Sequence, residues 1–411
     1  MNHYDYQEIE GRSNGYWGIL LALGALIAVA GYAWYLMEHN GHWITGMSNQ
    51  IVWGTPHVFA IFLIVAASGA LNVASIASVF GKYQYKPLAR LSGLLAIALL
   101  AGGLAVLVLD LGRPDRLIIA MTYYNFKSIF AWNIILYNGF FAIVAVYIWT
   151  MMQHSIGRYS KPVGLFAFLW RLILTTGTGS IFGFLVARQA YDAAIMAPMF
   201  IAMSFSFGLA IFILVLMGLY NGTRRPLGDL IVNRLKNLLG VFIAGVLYFV
   251  LAYNLTNLYA TEHHGVVSFI LRDGGIYTTL FWWGQIVLGS LVPLALLYHP
   301  SWGKNRKLVG LAALLVILGG MAQIYVIVIG GQAFPLVIFP GMESSSAYAD
   351  GVVATYVPSW PEVLLGLGGV AVFLIMVLVA VKVLKFLPLS LEDKMVDPYH
   401  KASGAAESAS A

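Results

Sequence analysis

The sequence predicts an all-α polytopic membrane protein with about ten transmembrane helices. Hydrophobic residues make up 60% of the chain and charged residues only 10%, whereas soluble domains carry roughly 25% charged residues. Mean hydropathy is +0.82. The apolar residues fall into stretches of about 20 or more, each long enough to cross a roughly 30 Å hydrocarbon core as a helix. These stretches are 15–37, 51–80, 88–111, 128–152, 163–187, 196–219, 235–258, 276–298, 307–330 and 362–386. The 43 glycines suit helices that pack through small faces.

Span 1 follows a polar, acidic segment (1–14) that lacks a cationic n-region and a small-residue cleavage site. It therefore reads as an uncleaved helix and not a signal peptide. Span 2 opens with Trp53-Gly54-Thr55-Pro56-His57, which places His57 about two turns inside it. Span 3 ends in Asp110, and a tight Gly112-Arg113-Pro114 turn follows. Asp115, Arg116, Tyr123, Tyr124 and Asn125 lead into span 4, which carries Asn133 near its start. Span 5 holds Arg171 about eight residues in, then Thr175, Thr176, Thr178 and Ser180. Spans 7 to 9 contain the neutral polar residues Tyr253, Asn254, Asn257, Gln285, Gln323 and Tyr325, a common way of joining helices. A long loop, 331–361, precedes span 10. The membrane domain is expected to run over 15–387, with a tail over 388–411 that reads as disordered after Lys401.

A weak internal echo relates the turn GKYQYKPLARL after span 2 to NGTRRPLGDLIVNRL after span 6. It predicts two parallel four-helix bundles, spans 2–5 and 6–9, flanked by spans 1 and 10.

Orientation follows from the basic residues. Of the 23 Lys and Arg, 17 fall on the side of the two termini and loops 2–3, 4–5, 6–7 and 8–9. Five (Arg113, Arg116, Lys127, Arg188 and Arg272) lie on the other side, and Arg171 lies within a helix. Both termini are thus expected in the cytoplasm of a bacterial inner membrane, with LDLGRPDR, the 38–50 loop, Glu262-His263-His264 and the 331–361 loop on the outer, periplasmic side. The net charge of +6 is a topology signal in this reading and gives no sign of nucleic-acid binding, because its clusters are short and flank helices.

The absence of cysteine excludes a thiolate-ligated iron–sulfur cluster, a c-type haem attachment and a disulfide within this sequence. Haem b typically needs two facing histidines, and only His57 of the nine histidines lies clearly within a span, so haem b is not expected. No Walker loop supports an ATP-driven pump.

Ionisable and hydrogen-bonding groups crowded at a membrane surface are costly unless they bind something. His57 and Asp110, at similar depth on neighbouring spans, are the pair expected to hydrogen-bond a quinone carbonyl and exchange its protons. Tyr123, Tyr124, Asn125 and Asn133 are candidate donors to it, and Trp53 and Trp132 apolar walls. Singly, each has a structural explanation: His57 would cap a backbone break at Pro56, and Asp110 would pair with Arg113 or Arg116. Together they read as a site. Arg171, with Glu262 outside, is either part of a proton or water path or a clamp on carbonyl groups.

The runs WGTPHVFAIFLIVAASGA, Tyr85-Lys86-Pro87-Leu88, LDLGRPDR and FKSIFAWN resemble the NrfD/PsrC family of membrane quinone-reactive subunits. Tyr356-Val357-Pro358-Ser359-Trp360-Pro361-Glu362 before the last span is similar to its ten-helix branch, which includes the DsrP subunit of the sulfite-reductase-linked Dsr complex. The resemblance covers nearly the whole sequence. It implies a quinone dock (menaquinone or ubiquinone) in a respiratory oxidoreductase of sulfur-compound metabolism. It also implies a periplasmic four-cluster ferredoxin-like iron–sulfur partner subunit and further membrane or cytochrome subunits. By the same resemblance His57 matches the family's quinone-proximal histidine, and Asp110, Arg113 and Arg116 match its acidic helix end and GRP turn. Two other classes remain open: a secondary transporter, and a structural anchor without quinone chemistry. Broken helices around a midplane substrate would mark the transporter, whereas here the ionisable residues crowd one interface.

Overall fold

The computed structural model describes residues 4–336 and 351–397. Ten helices among them are long and apolar enough to cross a membrane. They are α1 (Asn14–Asn40), α2 (Thr55–Ser78), α3 (Tyr83–Leu109), α4 (Ile129–Met152), α5 (His154–Gly183), α6 (Met196–Thr223), α7 (Asp229–Tyr259), α8 (Ile276–Tyr298), α9 (Arg306–Ala333) and α10 (Trp360–Val383). An all-α membrane fold is therefore what the protein adopts. Local chemistry fixes several starts: Ser13 caps α1 by accepting from the Tyr16 amide, and Asn305 caps α9 by accepting from that of Lys307. Ser359 and Glu362 form a capping box at α10.

The helices share one interior. α2 packs on α3, α5, α6 and α10, α6 on α5, α7 and α9, and α8 on α7 and α9. A continuous apolar core extends from α2 through α9 and reaches both terminal segments. The division into spans 2–5 and 6–9 is thus not a division of the core, since α2 and α6 meet directly. They meet backbone to backbone: a Cβ at Gly69 would fall on the Ser204 carbonyl, and one at Gly208 on the backbone of Gly69 and Ala70. Small residues permit that approach, and a larger one at either position would drive the halves apart. α1 lies at the periphery, packed on α10. Leu21, Trp149, Tyr248 and Trp283 stand exposed on outward faces of α1, α4, α7 and α8, as lipid-facing residues do.

The two terminal segments meet on one side. β1 (Tyr6–Gln7) pairs antiparallel with β2 (Leu387–Pro388). Arg225 donates to the carbonyls of Gln7, Glu8 and Leu387, and Tyr220 donates to that of Pro388. The tail expected from residue 388 is packed at its beginning: the Gly228 amide donates to the Leu391 carbonyl, and Asp393 accepts from the Leu230 amide at 3.0 Å. The stretch after Lys401, expected to be disordered, lies outside the described residues, as does part of the 331–361 loop. The face opposite the terminal segments carries the starts of α2, α4 and α10 and the end of α3.

Candidate functional site

α2 begins at Thr55, four residues later than hydropathy alone suggests, so His57 occupies its first turn and does not lie two turns in. Gly54 and Pro56 define that start, with Gly54 extended and Pro56 where its missing N–H costs nothing. Tyr356 performs the capping instead of His57. Its hydroxyl accepts from the Thr55 amide at 2.7 Å, lies 2.9 Å from Thr55 Oγ1, and donates to Glu362 Oε1 at 2.6 Å. Glu362 is fully buried, and its other oxygen accepts from the Gly46 amide, the Ser359 amide and Ser359 Oγ, each at 2.8 Å. A Cβ at Gly54 would fall on Glu362 Oε1 and lie 2.8 Å from the Tyr356 hydroxyl, so only glycine fits there. Burial, reinforced by the adjacent Glu362 carboxylate, pushes the Tyr356 pKa far above its ordinary value, which keeps the hydroxyl a donor.

A second clamp comes from α9. Buried Gln332 accepts from the Val52 and Trp53 amides at 3.0 and 3.1 Å. Its Nε2 donates to the Trp53 carbonyl at 3.0 Å and to the Val328 carbonyl at 2.8 Å. Arg188 binds the Gln332 and Gln50 carbonyls at 2.9 and 2.8 Å. Held this way, the Trp53 ring stacks on His57 with centroids 6.1 Å apart and packs against Phe130 and Phe182.

Asp110 follows the last residue of α3, and only 1% of its side chain is exposed. His57 Nδ1 lies 2.7 Å from Asp110 Oδ2, and His42 Nε2 lies 3.8 Å from Oδ1. The His57 contact is a short ion pair off the regular hydrogen-bond direction, and the His42 contact is longer than a hydrogen bond, so Asp110 Oδ1 and His42 Nε2 are buried atoms without a hydrogen-bond partner among the described residues. Burial works to raise the Asp110 pKa, but His42 and His57 outweigh it and hold the carboxyl below its ordinary range. Asp110 in turn raises the His42 pKa, helped by the charges of Glu38 and Glu362.

The remaining sequence-derived residues divide. Arg113 forms a two-point pair with Asp115 at 3.0 Å in solvent, and not with Asp110. Arg116 is exposed, Tyr123 is 82% exposed, and Tyr124 packs on Phe126. Trp132 donates to the Phe126 carbonyl at 2.9 Å. Asn133 is buried and ties α4 to α5 by donating to the Gly177 carbonyl at 3.1 Å. The structure thus unites Trp53, His57 and Asp110, while Arg113, Arg116, Tyr123, Tyr124 and Asn133 make other contacts. His42, Gln332, Tyr356 and Glu362 escaped the sequence reading as site residues. The Tyr356–Glu362 run was visible as a motif, but nothing in the sequence marks His42 or Gln332.

Arg171 is wholly buried between the Phe168 and Phe205 rings, and donates from Nη2 to Asn72 Oδ1 at 2.9 Å. Its Nε and Nη1 have no partner among the described residues. Glu262 is exposed beside His263 at 3.7 Å. No hydrogen bond among the described residues joins either to Asp110. A cavity of about 50 Å3 lies within α6–α9, lined by Tyr253, Asn254, Phe281, Gln285 and Gln323. Helical turns widened to five residues over 280–291 and 326–330 flank it. It is far below the roughly 300–1,000 Å3 of ordinary ligand pockets and carries no carboxylate. No group of three or more His, Asp or Glu suited to a metal ion occurs among the described residues.

Comparison with known proteins agrees with the architecture. The chain is 27% identical over 396 residues to the Hdr-like menaquinol oxidoreductase integral membrane subunit of Archaeoglobus fulgidus, covering 96% of this protein and 99% of that one. It is 24% identical over 308 residues to the C subunit of polysulfide reductase from Wolinella succinogenes, covering 70% and 96%. It is 22% identical over 358 residues to the menaquinone reductase integral membrane subunit of Nitratidesulfovibrio vulgaris, covering 80% and 82%. Residues 43–336, which contain His57, Asp110 and Gln332, match the polysulphide reductase NrfD family, and the protein belongs to that family.

Proposed function

We propose that this protein is the quinone-reactive membrane subunit of an oxidoreductase complex, and that quinol and quinone exchange protons at His57 and Asp110. The observation that carries the reading is the buried Asp110 carboxylate, whose Oδ2 lies 2.7 Å from His57 Nδ1. Two relatives, from Archaeoglobus fulgidus and Nitratidesulfovibrio vulgaris, bear menaquinol and menaquinone in their names. This favours menaquinone over ubiquinone. Exposed Phe130 beside Trp53, and exposed Leu111 beside Asp110, give the site an apolar rim through which a lipid-soluble ring enters sideways.

Oxidation of a quinol releases two electrons and two protons. His57, oriented by Asp110, accepts a proton from the quinol hydroxyl, and the carboxylate stabilises the imidazolium that results. Trp53, fixed by Gln332, walls the histidine against lipid. The electrons leave for a partner subunit, since this sequence has no cysteine to hold an iron–sulfur cluster. The positive-inside count supports a site on the periplasmic side of a bacterial inner membrane with both termini cytoplasmic. An iron–sulfur subunit of the four-cluster ferredoxin type would then dock over it, where Arg113, Arg116 and Tyr123 stand exposed. The link to sulfur-compound, sulfite-reductase-linked metabolism rests on the resemblance to the ten-helix branch.

Asp110→Asn in the assembled complex tests the assignment. Turnover with a water-soluble menaquinol analogue should fall about 10²- to 10⁴-fold with assembly intact, the usual contribution of a positioned proton acceptor. Turnover within two-fold of wild type would instead favour a structural anchor.

A further inference from the structure

We infer that His42 is the proton outlet of this site, passing protons between Asp110 and the aqueous surface, and that the Gly112 turn seats its ring. The inference rests on the quinone reading above and concerns where the protons go afterwards.

Asp110 lies enclosed between two histidines, of which His42 is the more exposed. The His57 side chain is 15% exposed, that of Asp110 1%, and that of His42 29%. Asp110 places one oxygen toward each histidine, Oδ2 toward His57 and Oδ1 toward His42. A proton taken up by the carboxylate from His57 has no direct route to water, because Asp110 is enclosed. His42 touches the same carboxylate and reaches the surface. Its Nε2 accepts the proton from Asp110 and Nδ1–H gives its own to water, which restores the charge and moves the ring proton to Nε2; a ring flip or tautomer exchange through water then returns a bare nitrogen to Asp110 before the next transfer. The 3.8 Å gap closes with a modest turn of the ring.

The signature turn provides the seat. Gly112 has φ +69°, which disfavours other residues, and a Cβ there would lie 3.1 Å from His42 Cε1 and 3.3 Å from Nδ1. The His42 ring therefore lies against the bare face of the turn. Arg113 is turned away to Asp115, so no arginine competes for Asp110.

The charged groups facing His42 come from three elements. Glu38 stands on α1, Asp110 at the end of α3 and Glu362 on α10, and all three favour the protonated ring. Glu362 is saturated by Tyr356, Ser359 and Gly46. Glu38 has a buried Oε1 without a partner among the described residues, one turn along α1 from the equally unpartnered Trp34 Nε1.

The test compares His42→Ala, His42→Gln and Asp110→Asn in the assembled complex with the same quinol analogue. The Ala variant should lose about 10²-fold in kcat, keep KM within two-fold, and recover when imidazole is added, because the ring position is open to solvent. The Gln variant should lose kcat without recovery, its side chain filling the space. A loss that imidazole does not restore, or unchanged kcat in both variants, overturns the outlet and leaves His42 a counter-charge. Should Asp110→Asn itself retain turnover, the quinone site fails, and the outlet with it. Loss in Asp110→Asn with full activity in both His42 variants sinks the outlet alone.

Discussion

Gln332 makes the most of any single side chain in holding the α2 entrance, and Gln332→Met measures that hold. The substitution keeps the volume and removes all four hydrogen bonds to Val52, Trp53 and Val328. The Val328 carbonyl retains the Tyr191 hydroxyl at 2.6 Å, so three backbone groups are orphaned: the amides of Val52 and Trp53 and the carbonyl of Trp53. Each costs about 1–3 kcal/mol when left unpaired. Val52 is 50% exposed and Trp53 is only partly buried, so water takes up part of each loss, which brings the sum to about 2–4 kcal/mol. At about 1.4 kcal/mol per decade, amide exchange at 52 and 53 should accelerate roughly 30- to 700-fold. Hydrogen–deuterium exchange on a peptide spanning 48–57 reads this directly, and the quinol KM should rise as Trp53 loosens over His57. Unchanged exchange at 52 and 53 would refute the reasoning, because the clamp would then be redundant with the Tyr356 cap.

Gly54→Ala places a methyl on Glu362 and Tyr356 and should cost about 3 kcal/mol or prevent accumulation, while Gly218→Ala, with open space around it, should be neutral or slightly stabilising; thermal denaturation in detergent separates them. Arg171→Met removes a buried guanidinium that has a single side-chain partner, so thermal stability should hold within about 1 kcal/mol or rise; a loss above about 3 kcal/mol would mean that an ordered group pairs with it. The Asp110–His42 pair gives a pH signature. Asp110, with its pKa depressed below 3.8, contributes stability above that value and loses it as pH falls through its folded pKa. His42, raised above 6.5, contributes fully below that value and loses it as pH rises through its folded pKa. The difference in Tm between wild type and Asp110→Asn should therefore be greatest between those two ordinary values and shrink on either side; a flat difference from pH 4 to 9 would mean the charges do not interact.

The fold was legible because hydropathy is a sum over many residues, and lipid leaves an apolar segment few alternatives. Small errors came where single contacts overrule composition. Trp53 and Val52 look like helix by hydropathy, yet they lie in the approach to α2 because Gln332, some 280 residues later, holds their backbone. The packed beginning of the tail follows the same rule, since Asp393 caps the start of α7 although its neighbours read as linker. In each case the deciding partner is distant in sequence, and periodicity carries no trace of it.

The candidate site was legible in part for the same reason. His57 and Asp110 stood out because charge inside or beside an apolar span is rare, and that logic needs no partner to be known. Arg113 stood out too, but a charge beside a membrane has a cheaper resolution than binding: it pairs with Asp115 two residues on. His42 stood in a loop where histidine is unremarkable, and its place at Asp110 appears only once Gly112 is seen under its ring. The GRP turn thus has a physical reading in which the glycine matters more than the arginine. It ends α3 at a buried carboxylate and leaves that carboxylate open to two imidazoles, one beneath Trp53 and one at the water surface.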